Sequence, residues 1–208
     1  MKKFLSLLMV LALALLPVLS LAEAAEEIDV AYTTYTHTTG SYSFMYPENW
    51  FLLNAENIQT ILESTAESGN AELAQLVEAY GPQIQQMDMV MVLSETGMTN
   101  VNVVCQPVGM QATDEVLLTL APTLVQQLSS AFEGIEFVDE GSIINLGNKS
   151  GMMVEYNYEL AGTSMHGVQV YVSGATDLYV FTYTCTDENE LSATVEDFGF
   201  MLGSLTVQ

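Results

Sequence analysis

Segments in which apolar and polar positions alternate with a period of two take turns along the chain with segments of a period near 3.6. "VAYTTYTHTT" (30–39) is rich in Thr and Tyr, stops at Gly40 and is followed by "SYSFMYP" (41–47), which predicts two short strands joined at a glycine turn. Asn54 to Ala66 carries Ile58, Ile61, Leu62 and Thr65 at helical spacing, with Glu56 and Glu63 turned away, and predicts a half-buried helix. After Gly69, Asn70 is placed to cap a second helix with the stripe Leu73, Leu76, Val77 and Tyr80. Gly81 and Pro82 should break that helix, with a short turn resuming to Met87.

"MDMVMVLSE" (87–95) and "NVNVVCQPV" (100–108) read as a hairpin turning at Thr96 to Thr99. Thr113 or Asp114 opens the clearest helix, with Leu117, Leu120, Ala121, Leu124, Leu128 and Phe132 on one side and Gly134 closing it. Pro122 inside that pattern removes a backbone donor and predicts a kink or a late start. "GMMVEYNYEL" (151–160), "MHGVQVYVS" (165–173) and "LYVFTYTC" (178–185) form a three-stranded meander with turns near Gly162 and Gly174. Alternation sends Met152, Val154, Tyr156 and Tyr158 to one face, and Met153, Glu155, Asn157 and Glu159 to the other, wetter face. In "DENELSATVEDFGFML" (187–202), Asp187 and Glu190 stand at capping-box spacing before the stripe Leu191, Thr194, Val195, Phe198 and Leu202. Hairpins interleaved with helices imply an α+β domain, an antiparallel sheet flanked by helices.

The first residues change what counts as the working protein. Lys2 and Lys3 precede an uncharged apolar run from Phe4 to Leu16, then Pro17 and a small-residue exit ending Ala24-Ala25, the pattern of a cleaved export signal. An uncleaved anchor is the alternative. Residues 1–24 are thus expected to leave, 25–31 to form a short linker and 32–208 to fold as a single domain. No cysteine lies near the junction to carry the thioether anchor of bacterial lipoproteins, so the expected location is secreted or extracytoplasmic, without stable membrane insertion.

Of three basic and 26 acidic residues, Lys2, Lys3 and Glu23 lie in the leader; Lys149 remains against 25 carboxylates, a formal charge of −24. Such a chain repels nucleic acid, whose binding depends on Lys and Arg at phosphates. Surface ion pairs can contribute little, so stability has to come from apolar burial. The same field favours a basic protein or a cationic envelope component as partner, or serves solubility alone.

"YSFMYPENW" (42–50) concentrates rings around a proline. Tyr42, Phe44 and Tyr46 share a strand face, Pro47 ends the ladder, and Trp50 swings back over the sheet edge, a structural corner rather than an aromatic ligand platform. A Tyr/Phe strand followed by "YP", two residues and Trp resembles the entry motif of the PsbP-like superfamily, which includes the photosystem extrinsic protein and the bacterial DcrB-like lipoproteins. "GNKSGMMVEYNY", "GVQVYVSGATDLYVFTYTC" and a last helix ending "FMLGSL" follow the order of those domains. Two features depart from them: a long helical stretch from Asn54 to Met87 and the missing lipobox cysteine. The resemblance implies an α/β/α sandwich, usually non-catalytic and used for binding or assembly, and it transfers no catalytic residues.

Candidate chemistry is sparse. Cys105 and Cys185 are the only cysteines, either a disulfide in an oxidising compartment or two buried thiols. His37 and His166 lack zinc-ligand spacing, and a Ser, His166, Asp177 triad has no nucleophile-elbow sequence behind it. The acids of "VDEG" (138–141) and "TDENE" (186–190) lack calcium-loop spacing, and Asp187 and Glu190 read better as helix caps. No cofactor is implied. The reading that follows is an exported, non-enzymatic binding or assembly domain with an acidic surface. The alternatives are a secreted hydrolase, or a carrier of a small apolar ligand suggested by Met87, Met89, Met91, Met152 and Met153.

Overall fold

The computed structural model describes residues 30–39, 41–68, 71–147 and 149–207. The expected leader, most of the linker, the Gly40 turn residue, Gly69 and the Asn70 cap lie outside them. The elements in chain order are β1 (Tyr32–Thr36), β2 (Tyr42–Pro47), β3 (Phe51–Leu53), α1 (Ile58–Ser68), α2 (Ala71–Met87), β4 (Val90–Leu93) and β5 (Thr99–Pro107). There follow α3 (Asp114–Ala131), β6 (Glu136–Asn145), β7 (Ser150–Leu160), β8 (Thr163–Ser173), β9 (Asp177–Cys185), α4 (Glu188–Ser204) and β10 (Thr206–Val207).

Seven strands form one antiparallel sheet in the order β3-β4-β5-β9-β8-β7-β6. The β7–β8–β9 meander appears as the alternation predicts, and β9 inserts beside β5 in nine-residue register from Thr99↔Cys185 to Pro107↔Asp177. Ala161 and Gly162 both take positive φ (52° and 85°) in the two-residue β7–β8 turn, the twist-matched geometry that favours glycine. The first hairpin, β1–β2, does not join this sheet; with β10 it makes a separate three-stranded sheet laid over one face.

The two faces of the large sheet carry different covers. On one, Val90, Val92, Val101, Val103, Val168, Val170 and Phe181 pack against Tyr42, Phe44 and Trp50, against α4 through Phe198, Met201 and Leu202, and against its C-cap Leu205. On the other, α3 lays Leu117, Ala121, Leu124 and Leu128 on Met152, Val154, Tyr156 and Tyr158. Each buried leucine contributes roughly 1.5–3 kcal/mol, so this stripe alone fixes α3. Beside it α1 and α2 pack Ile58, Val77, Tyr80 and Ile84 on Leu53, Met89, Met91 and Leu93, a second and separate apolar cluster.

Several expectations are corrected. α1 starts at Ile58 rather than Asn54, because Asn54 caps it: its side-chain oxygen accepts from the backbone N–H of Glu56 and Asn57. α2 runs through Gly81-Pro82, because Val77, Tyr80 and Ile84 are buried on both sides of the break and tertiary packing outweighs the lost donor. α3 starts at Asp114 with Thr113 as N-cap and continues through Pro122, so no late start occurs. β3 and β6 were not expected as strands. β6 carries register shifts between Phe137 and Ser142 that break its alternation, and Gly141 (φ 130°) there lets α3 approach so closely that a Cβ would sit 2.5 Å from that of Ala121. In α4, Val195 is exposed and Met201 takes a place in the core instead.

Candidate functional site

The aromatic corner lies within the packed interior. Tyr42 and Phe44 are fully buried, Tyr46 is half-buried against the same cluster, and Trp50 is 7% exposed. Pro47 ends β2, paired with Tyr32, and its carbonyl accepts from the Trp50 N–H at 3.0 Å, which closes the corner. Phe44 meets Phe181 edge-on at 5.8 Å and Tyr42 meets Tyr179 edge-on at 5.3 Å, so the hairpin's rings are keyed into the large sheet.

The two histidines stand far apart. His37 lies stacked on Tyr42 at 4.9 Å, its Nδ1 2.9 Å from the Thr39 hydroxyl and its Nε2 3.1 Å from Asp88. Asp88, at φ 50°, closes α2, so this imidazole ties the β1–β2 turn to the start of β4. His166, opposite Cys185 on neighbouring strands, has Nδ1 2.9 Å from Asn157 and Nε2 3.5 Å from Glu155. Burial pulls its pKa down, with Glu155 acting the other way. It borders a hollow of about 70 Å³ at the head of α4 with Cys185, Asp187 and Leu191.

This corner does not assemble a nucleophile. Cys185 donates to the Asp187 carbonyl at 3.2 Å and accepts from the Thr99 hydroxyl at 3.3 Å, so its thiol is engaged in local hydrogen bonds. Nor does the Ser, His166, Asp177 triad exist. Asp177 sits at the other end of β9, where its carboxylate accepts from Thr176, eight positions from Cys185 opposite His166. The possible Cys105–Cys185 disulfide is likewise not formed: both thiols are free. Cys105 pairs with Tyr179 and Cys185 with Thr99, six ladder steps apart, or about 20 Å at strand rise. Burial first, then Asp177, pushes the Cys105 thiol up.

The acidic clusters are spent on local structure. Asp139 accepts from Gly141 N–H at 2.7 Å inside the β6 bulge. Asp187 caps α4 by accepting from Asn189 N–H at 2.9 Å; Glu190 turns instead to the Thr99 hydroxyl at 3.2 Å, so the capping box is only half made. Among the described residues, no group of three or more His, Cys, Asp or Glu is placed to hold a metal ion. Lys149 donates to the Leu205 carbonyl at the end of α4, where the helix dipole favours a cation. The five methionines do not share a surface: Met87, Met89 and Met91 belong to the α1–α2 cluster, Met152 lies under α3, and Met153 on the opposite face.

What the sequence reading missed is a polar strip across the helix-covered face. Two rungs cross four strands: Asn100–Thr184–Gly167–Tyr156 and Asn102–Thr182–Gln169–Val154. Asn100, Asn102, Gln169, Thr182 and Thr184 are all buried, between the α3 cluster and the α1–α2 cluster. Asn102 donates to Asn100 at 3.2 Å and the Tyr171 hydroxyl to Gln169 at 2.6 Å. Asn100 Nδ2, Asn102 Oδ1, Thr184 Oγ1 and the hydroxyls of Tyr156 and Tyr158 have no hydrogen-bond partner among the described residues. Each such group costs about 1–3 kcal/mol when unpaired. Burial pushes Tyr158 up to about 12 and Tyr156 well above the usual phenol range. Thr184 and Gln169 moderate these shifts without reaching hydrogen-bond geometry.

No helix among the described residues is long and apolar enough to cross a membrane. No protein-family model and no curated protein sequence matches the chain. Solved structures do. Cyanobacterial PsbP (CyanoP) from Synechocystis aligns over 90% of this chain and 99% of its own, with a TM-score of 0.56 and 14% identity. LpqN of Mycobacterium tuberculosis, involved in cell envelope biogenesis, aligns over 88% and 93%, with a TM-score of 0.51 and 12% identity. A Bacteroides thetaiotaomicron protein aligns over 84% of this chain, with a TM-score of 0.52 and 8% identity; the chain spans about half (48%) of that protein.

Proposed function

Because the fold is PsbP-like, we propose that the protein is an extracytoplasmic, non-catalytic binding or assembly domain that engages a basic protein or a cationic envelope component through its acidic surface. One observation carries this reading: beyond the expected leader a single lysine faces 25 carboxylates. Of these, Glu56, Glu78, Glu115 and Glu140 are exposed. At −24 the surface field attracts cationic partners and speeds their approach, and salt weakens both effects. The involvement of LpqN in envelope biogenesis is consistent with an envelope partner for a domain of this shape.

The test is capture from the native exterior fraction by residues 25–208, at low and at high salt. A basic partner retained at low salt and released by added salt is the expected result; no capture at low salt, or capture indifferent to salt, overturns the reading. A hydrolytic reading is favoured by one observation only, the hydroxyl–imidazole–carboxylate alignment of Thr39, His37 and Asp88. Ester, peptide and glycoside turnover abolished by His37→Gln would select it.

A further inference from the structure

We propose that the polar strip under α1–α2 is a binding site for a small uncharged ligand rich in hydroxyl groups, of monosaccharide size, admitted when α1–α2 swings off the sheet. The five unpartnered atoms define the chemistry. Asn100 Nδ2 needs an acceptor, Asn102 Oδ1 needs a donor, and the hydroxyls of Tyr156, Tyr158 and Thr184 can do either. A hydroxyl-rich ligand satisfies all of them, because each of its groups both donates and accepts. An apolar ligand leaves them unpaired. An ion finds no charged side chain on either rung to compensate it in a buried site.

The fold also supplies a route in. Among the described residues the strip separates two apolar clusters that do not merge: α3 is held by its own, while α1–α2 carries Ile58, Val77, Tyr80 and Ile84 on the β3–β4 end. The α1–α2 pair can therefore lift without unpacking α3. Tyr80 on α2 lies near enough to add, after burial, to the raised pKa of Tyr158, and the next two residues are Gly81 and Pro82, where α2 lacks one backbone donor. A site built to hydrogen-bond hydroxyls strongly rejects analogues lacking them, so selectivity would rest on Asn100, Asn102 and Thr184.

Ordered water offers the same chemistry as a polyol, and the experiment separates the two. Residues 25–208 are titrated with glucose and, separately, glycerol, following the Asn100 and Asn102 side-chain amides by NMR. Amide exchange across 77–84 is followed in parallel. The expected result is a saturable shift of both side chains by glucose, slower exchange in α2, and little change with salt, unlike the acidic-surface contact. The Thr184→Val variant should keep or raise Tm while weakening glucose binding at least tenfold, since it removes an unpaired hydroxyl at the expense of the site. Absence of a saturable shift with either probe overturns the proposal. So does a fall in Tm of Thr184→Val, which marks the strip as a structural network closed by water.

Discussion

Gly167 is the position where one added carbon should do most damage. It lies on β8 between Thr184 and Tyr156, and a Cβ there would stand 2.5 Å from Tyr156 Cε2, 2.7 Å from Cζ and 3.1 Å from the hydroxyl. Carbon atoms pack best at about 3.5–4.0 Å, so the ring would have to retreat by about 1 Å. It cannot retreat freely: Phe132 stacks on it at 6.4 Å, and Phe137 and Tyr158 flank it at 6.2 and 5.7 Å. Overpacking of this kind costs about 1–3 kcal/mol, and the confined ring places Gly167→Ala near the upper end. Alanine returns about 0.4–1 kcal/mol by restricting the unfolded chain. The net loss is therefore about 2 kcal/mol, or roughly 4–8 °C in Tm for a chain of this length. Urea unfolding followed by the fluorescence of Trp50, the sole tryptophan and a core residue, measures it directly. Tyr156→Leu removes the obstructing ring, so the double variant should lose at least about 1 kcal/mol less than the sum of the two single losses. A Gly167→Ala protein within about 0.5 kcal/mol of the parent, or strict additivity in the pair, refutes the reasoning.

Buried phenols give an alkaline limit. Tyr42, Tyr156, Tyr158 and Tyr171 have folded pKa values above their unfolded 10, through burial first, so the native state keeps protons that the unfolded chain gives up. Stability is whole below pH 10 and falls as pH rises toward the folded values, by up to about 1.4 kcal/mol per phenol per pH unit. Four together reach up to about 5.5 kcal/mol per unit, so phenolate absorbance from these residues should appear together with loss of circular dichroism; their ionisation in a still-folded protein counts against this. Thr113→Ala removes the side-chain acceptor for Val116 N–H at 3.3 Å and should cost about 1 kcal/mol in chemical denaturation; an unchanged midpoint rejects the cap. Unfolded protein alkylated without reductant should carry two labels, and a mass matching an intact disulfide contradicts the strand register. In the native state Cys105, half-buried, should react before Cys185.

Elements whose partners are local were legible. The face assignment of β7 is visible in its own alternation, and α3 in its own stripe, because each needs only one periodic pattern against one cover. β6 was hidden by two irregularities that shift its acids out of phase, and β3 by a length of three residues, too short for a period to show. Gly81-Pro82 misled because propensity is local while the burial of Ile84 is not. The polar strip left a trace in the alternating Asn100 and Asn102 and in Thr182 and Thr184. Its meaning depends on β9 lying beside β5, about 80 residues away, and no periodicity reports that. The same gap explains the cysteines, whose six-step separation follows from register alone.

The little strand β10 has a consequence for how the chain comes to be a protein. It completes the sheet of β2, pairing Thr206 with Ser43 and Val207 with Tyr42, and Ser204 nearby accepts from the Met45 N–H. Contacts spanning some 160 residues are among the most costly in chain entropy and the last to be made. The aromatic hairpin thus waits, its inner surface uncovered, until the far end of the polypeptide has been synthesised and delivered.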